Sequence, residues 1–177
     1  MSELSQAEII ELAAKTAIDC YKKEQSNRAK QLNDRRLRNT KLLLSNYRSF
    51  KSHSASAVYT AEQAEEAIDI LDLMWDPNNR NASVVESIKA SCVKTVIIVN
   101  HIDTMIEAYR KLCYNSHNVI EKRRFDMLYD KYINEPELSN YELAEKYSVD
   151  ERTVYNDLNF AINRVAKLIF GVDIISA

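Results

Sequence analysis

The near absence of residues that form tight turns is the feature of this sequence that most restricts its fold. Its 177 residues include a single glycine, Gly171, and two prolines, Pro77 and Pro136. Hairpin turns need positive φ at one or two positions, and glycine adopts positive φ at the least steric cost. A sheet of several strands would need many such turns, whereas helices suit a chain rich in Ala, Leu, Ile, Glu and Lys. The sequence therefore predicts an all-α fold.

The clearest helical pattern lies near the C-terminus, between Ser139 and Phe170. Ser139 and Glu142 have the spacing of a capping box, which predicts the start of a short helix. Asp150 is a good N-cap for a second and longer helix, so that a turn at Ser148-Val149 separates the two. This order of short helix, tight turn and long helix is typical of a helix-turn-helix.

The second of these helices has two contrasting faces. Apolar residues recur at steps of three and four and predict a buried stripe made of Val154, Leu158, Ala161, Val165 and Leu168. The opposite side is polar and rich in amides, and asparagine and arginine can bind adenine and guanine edges in a major groove. Arg152, Asn156 and Asn159 are predicted to read bases. An ordinary solvated helix face would show the same polar row.

Other residues of this helix are predicted to support the base-reading residues. Thr153, Tyr155 and Asn163 would flank them or touch phosphate. Glu151 would accept a hydrogen bond from cytosine, or would only favour the helix N-terminus.

The segment from Glu142 to Val154, preceded by a predicted helix from Arg124 to Ile133, resembles the promoter-reading helix-turn-helix at the C-terminus of sigma factors (region 4). The whole chain, including Lys41 to Phe50 and Leu168 to Gly171, is similar to the ArpU/RinA-type phage late-gene transcriptional regulators. The resemblance implies a small helical protein with a sigma-like module at its C-terminus. Ser148 stands where such a turn usually has glycine, and positive φ there would strain the serine backbone.

Charge is unevenly distributed along the chain, although the net charge is only −2. Between Arg28 and Lys51 there are eight basic residues and one acidic residue, and an acidic stretch follows from Glu62 to Asp76. The basic zone is the predicted site of sequence-independent phosphate contact. The candidate residues are Arg28, Lys30, Arg35, Arg36, Arg38 and Lys41. Alternatively, the basic zone is a solvated helix, or it packs against a predicted acidic helix over residues 60–76.

A heptad pattern predicts that the longest helix runs from Ser83 to Cys113. Its apolar stripe consists of Ile88, Cys92, Thr95, Val99, Ile102, Ile106, Tyr109 and Cys113. This stripe must be covered by the preceding helices, in a bundle, or by a second chain, in a homo-oligomer. Asn115-Ser116 would end the helix. We therefore expect residues 1–115 to form a helical bundle and oligomerisation body with a basic N-terminal segment, and residues 116–177 to form a DNA-binding module.

Several kinds of function are disfavoured by the sequence. Three separated cysteines without a CxxC spacing support neither a disulfide framework nor a zinc knuckle. The chain lacks a phosphate loop, Ser-His-Asp spacing and a paired-histidine metal motif, so we expect no enzyme activity, cofactor or metal. It also lacks a bilayer-spanning apolar run and the basic start of a signal peptide. These features predict a cytoplasmic protein without a membrane partner, and the resemblance to phage regulators implies that the cytoplasm is that of a bacterial host cell.

The leading hypothesis is a sequence-specific DNA-binding regulator that activates phage late genes for packaging and structural proteins. Its expected partners are double-stranded DNA, RNA polymerase and further copies of itself. One alternative is a phage small terminase subunit that binds packaging-site DNA. Another is a protein-interaction module that docks on RNA polymerase without binding DNA.

Overall fold

The computed structural model describes residues 6–54 and 92–171. Every regular element in these two ranges is an α-helix, which confirms the all-α prediction for this part of the chain. The helices are α1 (Gln6–Ser54), α2 (Cys92–Asn115), α3 (Val119–Tyr132), α4 (Asn140–Tyr147) and α5 (Glu151–Ile169). The predicted acidic helix over residues 60–76 and the start of the heptad pattern lie outside the described residues.

Helix α1 has 49 residues and continues without a break through the polar stretch 22–40. The stretch contains neither glycine nor proline, and its Lys, Arg and Gln residues are good helix formers. An ion pair between Arg28 and Glu24, one turn apart at 2.5 Å, adds local support. The prediction that Ser83 to Cys113 forms the longest helix is therefore wrong.

Contacts divide the chain into two compact units, with the break between Arg35 and Arg36. The expected domain boundary at residues 115 and 116 falls inside the second unit. The hydrophobic core of that unit includes Ile102 from one side of position 115 and Leu128 from the other. The division into a body over 1–115 and a module over 116–177 stays a prediction.

The apolar stripe of α2 forms the centre of the core in the second unit. Its described members are all buried: Thr95, Val99, Ile102, Ile106, Tyr109 and Cys113. The same core takes in the C-terminal part of α1, together with α3, α4 and α5. Asp103 of α2 accepts a hydrogen bond from Tyr47 at 2.5 Å, and it forms an ion pair with Lys51 at 2.6 Å. Helices of the same chain therefore cover this part of the stripe.

Helix α3 begins directly after the predicted break at Asn115-Ser116. The Asn118 side chain caps α3 by accepting a hydrogen bond from the backbone N–H of Ile120 at 2.9 Å. Phe125 and Leu128 of α3 lie fully inside the core. Because α3 packs against α2, α4 and α5, it fixes the position of the two helices that follow it.

Candidate nucleic-acid interface

Helix α4 starts with the capping box that the sequence predicts. The Ser139 hydroxyl accepts a hydrogen bond from the backbone N–H of Glu142 at 3.2 Å, and the Glu142 carboxylate accepts one from the backbone N–H of Ser139 at 2.6 Å. Hydrogen bonds from the backbone and side chain of Ser139 hold the pKa of Glu142 below its ordinary value. These bonds fix the residue at which α4 begins.

The turn after α4 is built on Ser148, whose backbone is left-handed, with φ 53° and ψ 48°. The backbone N–H of Val149 donates to the carbonyl of Ala144 at 3.0 Å, and the N–H of Ser148 donates to that of Glu145 at 3.2 Å. These bonds satisfy carbonyls at the end of α4 that would otherwise lack partners. The turn thus has positive φ on a serine rather than a glycine.

Asp150 caps the N-terminus of α5, as predicted. One of its carboxylate oxygens accepts from the backbone N–H of Thr153 at 2.8 Å, and the other accepts from the Thr153 hydroxyl at 2.7 Å. The bond from the Thr153 side chain is the main reason that the pKa of Asp150 lies below its ordinary value. The Thr153 hydroxyl, which the sequence assigned to the flank of the reading face, therefore donates its proton within the cap.

The buried face of α5 matches the predicted stripe at four of five positions. Val154, Ala161 and Val165 are completely buried and Leu158 is nearly so, whereas Leu168 is only half-buried. Three further apolar residues complete the face: Ile162, Ala166 and Ile169. This wide apolar surface packs against α2, α3 and α4, so the orientation of α5 about its own axis is fixed.

The predicted DNA-reading residues differ in their exposure. Glu151, Arg152, Tyr155 and Asn156 are exposed, whereas Thr153, Asn159 and Asn163 are half-buried. At roughly 100° per residue, Arg152, Asn156, Asn159 and Asn163 fall within about 60° of one another on the helix. The Asn163 amide donates to the backbone carbonyl of Asn159 at 2.8 Å. Tyr155 lies beside this row, while Glu151 and Thr153 lie further from it.

The outward face of α5 also carries basic residues that the sequence analysis did not select. Lys167 is exposed and stands eleven residues after Asn156, so both lie on nearly the same line along the helix. Arg164 is exposed as well, and its guanidinium lies 5.4 Å from the centre of the Phe160 ring. The same helical periodicity would have found Lys167, had the pattern been followed beyond Asn163.

A charged cluster lies beneath the outward face, around Asp157. This carboxylate is only 4% exposed and accepts two hydrogen bonds from Arg123, at 2.7 and 2.9 Å, and one from Arg124 at 2.9 Å. Arg124 also binds Glu121 at 2.8 Å and lies 3.8 Å from the centre of the Phe160 ring. The cluster joins α3 to α5, and both oxygens of Asp157 have partners.

A second buried carboxylate, Asp130 of α3, holds α4. It is 6% exposed and accepts hydrogen bonds from Lys146 at 2.5 Å, Tyr147 at 2.7 Å and Asn134 at 2.9 Å. Burial by itself disfavours the charged form, but the three hydrogen bonds outweigh it and lower the pKa of Asp130 below its ordinary value. Burial and the bond to Asp130 raise the pKa of Tyr147. Neither carboxylate is among the residues that the sequence pattern predicts for the site.

An open depression of about 810 Å³ lies between α4 and the start of α5. The depression is lined by the carboxylates of Glu145, Asp150 and Glu151, together with the positively charged Arg123 and the aromatic ring of Tyr141. The lining of this depression, at the N-terminal end of α5, is therefore more acidic than basic. This charge distribution opposes close approach of phosphate to the depression.

The basic zone of α1 is only partly available for phosphate. Arg28 and Lys30 of the first unit are exposed, as are Arg38 and Lys41 of the second. Arg35 and Arg36 are half-buried. Arg48 donates to the carbonyl of Asn134 at 2.5 and 2.9 Å and to that of Lys131 at 3.1 Å, and Lys51 binds Asp103. Arg48 and Lys51 thus have partners elsewhere in the second unit.

Comparison of the chain with family models, curated proteins and solved structures found no match. None of the helices over residues 6–54 and 92–171 is long and apolar enough to cross a membrane. Within those same ranges, no three His, Cys, Asp or Glu side chains are grouped so that they could hold a metal ion. The proposals below therefore rest on the geometry of the described residues.

Proposed function

We propose that α4 and α5 form a sigma-like helix-turn-helix that binds double-stranded DNA. On this proposal the protein is a sequence-specific transcription regulator of the ArpU/RinA type, which activates phage late genes. The supporting observation is the opposition of two faces on α5. Its apolar face is buried against three other helices, while Arg152 and Asn156 are exposed on the outward side.

The exposed residues at the start of α5 suit base recognition. In helix-turn-helix proteins, residues in the N-terminal part of the second helix contact base edges in the major groove. Arg152 and Asn156 stand one turn apart in that part of α5, and their side chains can bind guanine and adenine. Lys167, three turns further along nearly the same line, would contact phosphate. Asn159 and Asn163 would contribute where the groove wall reaches them.

The charge of α5 indicates that one module alone binds DNA weakly. The acidic side chains Glu145, Asp150 and Glu151 oppose phosphate near the start of the helix. Additional affinity would come from exposed basic residues of α1, such as Arg28 and Lys30, and from a second copy of the protein bound to the same DNA. As an activator, the protein would also contact RNA polymerase.

We expect a gel-shift assay with phage late-promoter DNA to show that the double substitution Arg152→Ala with Asn156→Ala weakens binding. Each bidentate base contact contributes about 1–3 kcal/mol of discrimination. The double variant should therefore lose at least about tenfold in affinity for promoter DNA, and its preference over unrelated DNA should fall. Both residues are exposed, so circular dichroism and the melting temperature should stay close to those of the wild type.

The matched control is Arg110→Ala with Asn100→Ala. It removes the same two residue types from exposed positions of α2, and it should bind promoter DNA like the wild type. The proposal is wrong if the α5 double variant binds with unchanged affinity and selectivity, or if the α2 control loses as much.

A second candidate function is supported by the acidic depression between α4 and α5. Its carboxylates and the exposed ring of Tyr141 suit a basic protein surface better than a phosphate backbone. In that case the module would dock on RNA polymerase without binding DNA. Such a protein would co-sediment with polymerase, and less of it would do so as the salt concentration rises. It would not show the salt-dependent DNA binding that phosphate contacts produce.

A further inference from the structure

The first unit of the chain carries an exposed apolar stripe on α1. Ile10, Ala14, Ala17 and Tyr21 recur at steps of four, three and four, so they lie within about 60° of one another on the helix. Ile10 is 69% exposed and Tyr21 is 63% exposed. Every described side chain from residue 6 to residue 34 is exposed.

A helix with such a stripe is expected to bury it against a partner. Helices gain most of their stability from packing of an apolar face rather than from intrinsic propensity. The stripe of α2 is not available as the counterpart, because its described residues are already buried in the core of the second unit. The surface on α1 is thus separate from the heptad stripe, which a second chain or the preceding helices were predicted to cover.

Charge along α1 indicates which partner fits. Residues 6–19 contain three acidic residues and one basic residue, whereas residues 20–35 contain five basic residues and two acidic ones. An antiparallel second copy would place the acidic part of each helix beside the basic part of the other. The acidic stretch Glu62 to Asp76 fits less well, because residues 6–19 of α1 are themselves acidic overall and would repel it.

We propose that residues 6–35 of α1 bind a second copy of the same helix in antiparallel orientation. In the register that matches the apolar residues, Ile10 lies opposite Tyr21 of the second copy. Ala14 then lies opposite Ala17, and these small side chains allow the two helices to approach closely. At one edge of the stripe, the same register brings Glu11 toward the end of the other helix that carries Lys22.

Sedimentation velocity of the full chain over a concentration series tests the surface. Ile10→Glu should raise the dimer dissociation constant by at least about tenfold, since the substitution enters the symmetric interface twice. Leu12→Glu is the matched control: Leu12 is 59% exposed, lies about 200° away from Ile10 on the helix, and receives the same added charge. It should leave the dissociation constant within about threefold of the wild type.

Three sedimentation results would overturn the proposal. They are a wild-type chain that stays monomeric up to about 100 μM, an equal effect of the two substitutions, and an oligomer that neither substitution weakens. The last result would place the contact elsewhere in the chain. The melting temperature of each variant shows whether the second unit is intact, because neither substituted residue lies in its core.

Disulfide formation tests the orientation. Ala13 and the exposed Cys20 lie on the same edge of the stripe, and they come close together only between antiparallel copies. The variant Ala13→Cys should form, under mild oxidation, a dimer in which mass spectrometry links position 13 of one copy to Cys20 of the other. Disulfides that join only position 13 to position 13, or only Cys20 to Cys20, would indicate a parallel pair of helices and overturn the antiparallel assignment. The variant Ala13→Cys with Cys20→Ser should not form the mixed link.

Discussion

Ser148 shows how one residue sets the angle between α4 and α5 at a cost in backbone energy. Its left-handed conformation lets the backbone N–H groups of Ser148 and Val149 close the end of α4. A residue with a Cβ atom adopts this conformation at a cost of about 1–2 kcal/mol, whereas glycine adopts it freely. The direction of the chain into Asp150, and so the start of α5, depends on this conformation.

We expect Ser148→Gly to stabilise the second unit. Relief of the backbone strain exceeds the extra entropy of glycine in the unfolded chain, so the free energy of unfolding should rise by about 0.5–1 kcal/mol. Urea denaturation followed by circular dichroism measures the change. Ser148→Ala is the control, because it removes the hydroxyl and keeps the strain. Equal stability of the glycine and alanine variants would contradict this explanation.

At Asp130 we predict a stability effect that depends on pH. Its folded pKa lies below the ordinary value, so its stabilising contribution is complete at neutral pH and is lost as pH falls through that lowered pKa. Asp130→Asn should cost about 1–3 kcal/mol at pH 7, since Lys146 and Tyr147 lose a charged acceptor. The difference from the wild type should shrink below about pH 4.

Urea midpoints measured at pH 7, 5, 4 and 3 check this prediction. The control is Glu135→Gln, at an exposed position in the segment that links α3 to α4. It should leave the midpoint at pH 7 unchanged. A wild-type advantage over Asp130→Asn that stays constant down to pH 3 would show that the carboxylate charge is not what holds α4.

At the scale of the element, α5 is held by both apolar packing and ion pairs. Its buried stripe fixes which side faces the core, and Asp157 ties it to Arg123 and Arg124 of α3. The Arg124 side chain is 23% exposed and also stacks on Phe160, so the interaction lies at the edge of the interface. The position of the outward face, with Arg152 and Asn156, depends on this junction.

We expect Asp157→Ala to destabilise the second unit by about 2–4 kcal/mol, because it leaves two partly buried arginines without their acceptor. In a double-mutant cycle with Arg124→Ala, the two substitutions together should lower the free energy of unfolding by less than the sum of their separate effects. Urea denaturation measures these free energies. Glu107→Ala is the control: it removes the acceptor of the exposed Arg110 on α2 and should leave the urea midpoint unchanged. Additive effects of the two cluster substitutions would contradict direct coupling.

At the scale of the whole molecule, the described chain separates into a unit over residues 6–35 and a unit that contains the entire hydrophobic core cluster. The second unit brings together the proposed DNA-reading face and the ion pairs that orient it. The first unit presents an apolar stripe with acidic and basic ends. DNA binding by one module would be weak, so the proposed pairing through α1 and the proposed reading by α5 are complementary.

Local signals in the sequence predicted much of the second unit. The capping box at Ser139, the N-cap at Asp150 and the break at Asn115 all depend on residues within four positions of one another. The apolar stripe of α5 was also predicted from residues three and four positions apart, and all of its predicted members except Leu168 are buried. The predicted contacts of Arg152 and Asn156 with DNA stay predictions.

The sequence by itself determined the helical class and the positions at which α4 and α5 begin, because short-range hydrogen bonds and the helical period set these features. Only the tertiary structure decided that α2 is covered by its own chain and that Asp157 and Asp130 are buried. Each of these carboxylates is bound by side chains that are 16 or more positions away in the sequence. Periodicity along a single helix contains no information about which distant residue will supply the compensating charge.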